Sequence, residues 1–217
     1  MNSADPKPEA VVLMHGLWLT GASLMFLARH LRRCGFAVYP FSYSSVRKDL
    51  RGNAIGLQQF VERIDAPTVH FVGHSLGGIV IRALFHYFPQ QRPGRIVTLA
   101  SPHGGTHVGE RIAQTRFGRY LLGASVRQVL EQLPEQWVLP SRDIGVVIGT
   151  MPIGGGRLFS NRHGPGDGLL TIEESSLAGA TDTVMLPIAH SGLPFSRRAA
   201  EQVCRFLMTG RFQQPAA

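Results

Sequence analysis

Lysine is nearly absent: Lys7 and Lys48 are the only two among 217 residues, so twenty of the 22 basic side chains are arginines. Acidic residues number only 14, which leaves a net charge of +8. The arginines are scattered from Arg29 to Arg211 and never run longer than a pair such as Arg32-Arg33. A nucleic-acid binder would gather them into a stripe or tail, so no nucleic-acid partner is expected. Attraction to anionic lipids or substrates stays open, with membrane association at most peripheral. Long apolar runs are missing too; none reaches the ~18 residues of a membrane span. Cysteine is limited to Cys34 and Cys204, in segments that read as amphipathic helices, with no C-x-x-C or metal spacing. Two buried thiols are expected. Met1 to Glu9 lacks an apolar stretch, so no secretory signal is expected and a cytoplasmic location follows.

What is present is a core-forming composition. Hydrophobic residues make up 44% of the chain, which excludes low-complexity disorder. A chain of this size can bury about 70% of its unfolded surface, enough for a core without disulfides or metal. Residues 1–217 are therefore expected to form one domain.

Apolar runs at Ala10 to Met14, Phe36 to Phe41, Thr68 to Val72, Ile96 to Ala100, Gly145 to Gly149 and Thr183 to Ile188 read as strands. Between them, helical spacing appears at Leu24 to Leu31, Ile55 to Ile64, Ile79 to Phe88 and Arg197 to Met208. A longer excursion carries helical pattern at Arg111 to Leu122 and Val126 to Leu133. Alternation of this kind predicts an α/β fold, about six mainly parallel strands with helices on both faces.

The sharpest motif is Gly73-His74-Ser75-Leu76-Gly77, placed between a strand and a helix. In that context G-x-S-x-G is a nucleophile elbow, in which a serine takes a strained conformation and its neighbours must be small. A serine needs a histidine base, and in this architecture the order is serine, acid, histidine. That order removes His15, His30, His70 and His74, and His86 lies over two turns along the next helix. His103 and His107 have no acid between themselves and Ser75, and His163 shares that problem less severely. His190, after the sixth strand, is the expected base.

Asp143 and Asp182 precede strands and so lie at the wrong end of the sheet; Glu131 and Glu135 fall on a helical stretch. Asp167, in Gly164-Pro165-Gly166-Asp167-Gly168, is the expected acid, with Glu173 and Glu174 as runners-up. The oxyanion donors are expected to be the backbone N–H groups of Leu17 and Leu76. His15 reads as a loop-holding residue. Trp18 and His74 are expected to line the substrate site. His103 and His107 are spaced like zinc ligands, but glycines lie between them and no HExxH glutamate is present, so no metal and no cofactor is expected. The glycines at 154–156 lack the Lys-Ser/Thr of a phosphate loop and read as a connection.

These residues resemble the α/β-hydrolase superfamily, and within it the lipase-like serine esterases. The resemblance rests on residues 12–17 (VLMHGL), 73–78 (GHSLGG) and 98–106 (TLASPHGGT), with Asp167 and His190 where that family keeps its acid and base. It covers roughly residues 10 to 208 and implies a minimal hydrolase, with any small helical lid drawn from residues 103–142. Unlike secreted lipases with a calcium site, the chain has only Asp182 as a spare aspartate near the triad. The resemblance implies a serine hydrolase cleaving small acyl esters through an acyl-enzyme. A non-catalytic acyl-binding protein, an acyltransferase and a thioesterase remain the alternatives. The oligomeric state, the acyl length and the alcohol part are not legible.

Overall fold

The computed structural model describes residues 7–131, 137–154 and 164–214. Six strands form one sheet: β1 (Ala10–Met14), β2 (Ala37–Phe41), β3 (Val69–His74), β4 (Ile96–Leu99), β5 (Ile144–Gly149) and β6 (Asp182–Leu186). Every pairing is parallel, and the order is β2-β1-β3-β4-β5-β6. β1, β3, β4 and β5 are buried along their whole length, which is why they read as unbroken apolar runs rather than alternating ones.

The helices are α1 (Met25–Arg33), α2 (Leu50–Glu62), α3 (Leu76–Tyr87), α4 (His107–Ala113), α5 (Arg116–Glu131), α6 (Ile172–Ser175) and α7 (Arg197–Thr209). Val12, Met14 and Phe71 point from the sheet toward α2, α3 and α5, where Leu57, Ile79, Val80 and Val126 meet them. Val11, Leu13, Val97 and Val147 point the other way, toward Leu27 and Leu31 of α1 and Val203 and Phe206 of α7. Because all strands are parallel, every β-to-α connection opens at one edge of the sheet, and chemistry placed there by six different loops can converge.

Several boundaries differ from the sequence pattern for local reasons. α2 starts at Leu50, not Ile55, because the Asp49 carboxylate accepts from Gly52 N–H at 2.7 Å and starts the helix in a polar turn. α6 is too short for periodicity, and only the capping box between Thr171 and Glu174 marks it. The expected stretch from Arg111 to Leu122 is divided between α4, which ends at Ala113, and α5, which begins at Arg116, continues through Val126 and kinks at Gly123, where φ is +74°. A Cβ there would lie 2.4 Å from Val46 Cα, so the loop after β2 packs against bare backbone. Glu135, Leu133, Gly155, Gly156 and His163 lie outside the described residues.

The cysteines correct an expectation. Cys34, at the C-terminal cap of α1, and Cys204, in α7, are joined by a disulfide across 170 residues of chain, with Cα atoms 6.5 Å apart. Sequence separation hid the pair. α1 and α7 share one face of the sheet, and their packing brings the two residues together.

Candidate active site

The elbow is built by close packing. Ser75 sits at φ +55°, ψ −125°, between β3 and α3, a conformation costly for a residue with a Cβ. Two glycines make room for it. A Cβ on Gly73 would fall 2.5 Å from Gly78 N, and one on Gly77 would fall 2.4 Å from the Met14 carbonyl oxygen. The strained turn is anchored by Ser75 N–H donating to the Leu99 carbonyl at 2.9 Å.

The loop after β1 lies beside the elbow because Met14 pairs in register with Gly73. His15 is fully buried there and stacks on Tyr43, with ring centroids 4.2 Å apart. Tyr43 N–H donates to His15 Nε2 at 3.1 Å, so the proton resides on Nδ1, which reaches the Gly16 carbonyl at 2.8 Å. Burial lowers the His15 pKa against the smaller opposing effect of that carbonyl. Tyr43 in turn donates its hydroxyl to the His15 carbonyl at 2.7 Å. This ring pair holds the loop that carries Leu17 and Trp18. Trp18 has φ +60°, its N–H donates to Ser45 Oγ at 3.2 Å, and its indole donates to the Leu121 carbonyl at 2.9 Å.

Asp167 is 1% exposed and fully occupied. Its Oδ1 accepts from Leu169 and Leu170 N–H at 2.9 and 2.8 Å, and its Oδ2 meets His190 Nδ1 at 2.7 Å. His190 N–H also donates to the Asp167 carbonyl at 2.9 Å, so backbone and ring are both tied to the aspartate loop. Gly149, closing β5, permits this approach: a Cβ there would lie 2.7 Å from Asp167 Cβ. Glu173 and Glu174 do not reach His190; Glu174 instead binds His107 Nδ1 at 2.8 Å and caps α6.

Ser75 and His190 face one cavity of about 370 Å³, and among the described residues no hydrogen bond joins them. Such contacts commonly tighten only with substrate bound. Leu17, Leu76, Trp18 and His74 line the same cavity. His74 Nε2 donates to the His190 carbonyl at 3.1 Å, and the two rings are 5.0 Å apart. Burial, with the neighbouring His190 imidazole, pushes the His74 pKa down to about 3, so this histidine is neutral.

The cavity's apolar wall was not legible in the sequence. It comes from Val108 and Ile112 of α4 and Leu122, Val126 and Val129 of α5, with Phe195 opposite. Within the excursion Leu122 lines the cavity, whereas Phe117 and Tyr120 are exposed to solvent at 71% and 77%. From the short turn that precedes α1, Ser23 reaches the cavity lining. His103 is buried on Thr98 Oγ1 at 3.0 Å and held neutral by burial, its pKa down to about 3. His103 and His107 thus serve separate contacts. Among the described residues no group of three His, Cys, Asp or Glu is arranged to hold a metal ion.

Known proteins agree with this architecture. The mature Bacillus licheniformis lipase BlEst2 superposes with a TM-score of 0.72 at 18% identity, over 96% of this chain and 94% of that one. The Staphylococcus hyicus lipase structure superposes with a TM-score of 0.69 at 16% identity, over 95% of each chain. In sequence, a Staphylococcus hyicus lipase is 29% identical over 144 residues, which is 55% of this chain and only 20% of that protein's length. A family described as a domain of unknown function, DUF7379, matches residues 5–148. With its six parallel strands in the α/β-hydrolase arrangement shared with these lipases, the chain belongs to the DUF7379 family.

Proposed function

We propose that the protein is a serine hydrolase of carboxylic esters that works through an acyl-enzyme. The observation that carries the reading is the 2.7 Å contact between His190 Nδ1 and buried Asp167, on a cavity that Ser75 also lines. Asp167 accepts a hydrogen bond from the His190 Nδ1–H, which keeps the proton on Nδ1 and leaves Nε2 free as the base. Ser75 Oγ attacks the ester carbonyl while His190 Nε2 takes its proton. The Leu17 and Leu76 N–H groups receive the oxyanion, and His190 then returns the proton to the leaving alcohol. Water repeats the sequence on the acyl-enzyme. The lining of Val108, Ile112, Leu122, Val126 and Val129 suits an uncharged apolar acyl group.

In this reading the 103–142 stretch supplies a roof through α4 and α5, on a single catalytic domain. No helix among the described residues is long and apolar enough to cross a membrane. The Cys34–Cys204 bridge speaks for an oxidising compartment and weighs against the cytoplasmic placement expected from the N-terminal residues.

A fluorophosphonate probe followed by peptide mapping tests the nucleophile, and a series of p-nitrophenyl esters tests the acyl pocket. Label on Ser75, lost in Ser75→Ala, is expected. Asp167→Asn should lower kcat by about 10⁴-fold, because the wrong tautomer of His190 is then held. A folded Ser75→Ala variant with undiminished esterase activity would overturn the proposal, and an unlabelled Ser75 would favour a non-catalytic acyl-binding protein.

A further inference from the structure

Beside the cavity, on the far side of Trp18, lies a cleft that the proposed chemistry does not use. Trp18 lines both. Its other walls are Arg47, from the loop after β2, and Arg116, Arg119, Tyr120 and Arg127 of α5. The two segments are locked together, since Ala124 N–H donates to the Val46 carbonyl at 2.8 Å and Gly123 packs on Val46. α5 is two-sided here. Gly118, Leu122, Val126 and Val129 face inward, while the arginines share the outer face with Phe117 and Tyr120. The apolar surface continues around the cavity mouth, with Trp18 60% and Phe195 58% exposed. The charges are nearly uncompensated: Glu131 meets Arg119 at 3.6 Å, and among the described residues no other carboxylate pairs with these four arginines.

We infer that this face docks the protein onto a membrane or micelle surface rich in anionic phospholipid, with the cavity mouth turned toward it. Exposed aromatics interleaved with arginines on one helix face are what an interfacial helix needs. The rings enter the headgroup boundary while the guanidinium groups remain at the phosphates. Charge complementarity selects the anionic surface. It also disfavours a second copy of this chain, which carries the same +8 and would set like charges together. The inference does not depend on the esterase reading, because docking is measured without turnover.

Cosedimentation with vesicles of phosphatidylcholine, alone or mixed with phosphatidylglycerol, tests it. Binding to the mixed vesicles, weakened by salt, is expected. Arg116→Gln/Arg119→Gln should lower that binding about twenty-five-fold, at about fivefold per arginine near the surface. Arg33→Gln/Arg205→Gln removes the same charge from α1 and α7 and should change it by less than about twofold. In a Trp137→Phe background, Trp18 emission should shift to the blue on the mixed vesicles. Both arginine pairs are exposed and outside the cavity, so melting temperature and hydrolysis of a soluble ester should be unaltered in either variant. Equal losses in the two double variants would overturn the inference. So would equally tight binding to phosphatidylcholine alone, binding to single-stranded DNA but not to vesicles, or a dimer in sedimentation that the Arg116→Gln/Arg119→Gln change dissolves.

Discussion

Reducing the Cys34–Cys204 bridge should destabilise the protein by an amount that follows from its place in the chain. The bridge closes a loop of 170 residues. Removing that constraint returns about 17 cal/mol/K of entropy to the unfolded chain, about 5 kcal/mol at 25 °C, and native bridges commonly deliver about 2–5 kcal/mol. Unfolding entropy of about 2.1 cal/mol/K per residue over 217 residues converts this to a fall in Tm of about 4–11 °C. Melting curves with and without a phosphine reductant, and of Cys34→Ala/Cys204→Ala, should agree within that range. The packing of α1 and α7 rests on Leu27, Leu31, Val203 and Phe206 as well, so the reduced protein should remain folded at 25 °C. Two reactive thiols in protein unfolded without reductant would refute the pairing. An unchanged Tm in the double variant would refute the entropic reasoning.

Acid should weaken the fold through its neutral histidines. His74 and His103, lowered from 6.5 to about 3, stay unprotonated in the folded state while the unfolded chain protonates below pH 6.5. Each should therefore cost up to about 1.4 kcal/mol per pH unit between those limits, read as a fall in urea midpoint from pH 7 to 5; a flat profile would count against their burial. His107, raised by its bond to Glu174, works in the opposite sense. Its contribution is present below pH 6.5 and fades as pH rises through the raised value. In Glu174→Gln, an NMR titration should find the His107 pKa moved downward. Gly77→Ala places a methyl 2.4 Å from the Met14 carbonyl oxygen and should abolish probe labelling of Ser75, even where the protein still melts cooperatively. Val126→Phe narrows the cavity wall and should shift the p-nitrophenyl ester series toward shorter acyl chains without loss on the shortest.

Legibility in the sequence tracked distance along the chain. The strands and most helices could be read because burial on both faces or on one helical stripe imposes a local pattern. The α2 start and α6 could not, because polar caps rather than apolar residues begin them. The elbow was legible because Ser75 needs its glycines two residues away on either side. Its proximity to His190 and Asp167 followed from topology, since parallel strands deliver the ends of β3, β5 and β6 to one edge. Preference for Asp167 over Glu174 could be expected from that topology, but only the packed loops show Glu174 engaged with His107.

The sequence by itself determined the α/β class, the strained turn at Ser75 and which loops face the common edge, all consequences of backbone geometry and short-range sterics. Tertiary structure alone decided three further things. Cys34 meets Cys204, because two helices 170 residues apart pack on one face of the sheet. α5 bends at Gly123 and gives its inner side to the cavity and its outer side to solvent. And arginines that look scattered along the chain gather beside Trp18, because charge clustering depends on which loops fold together and not on spacing in sequence.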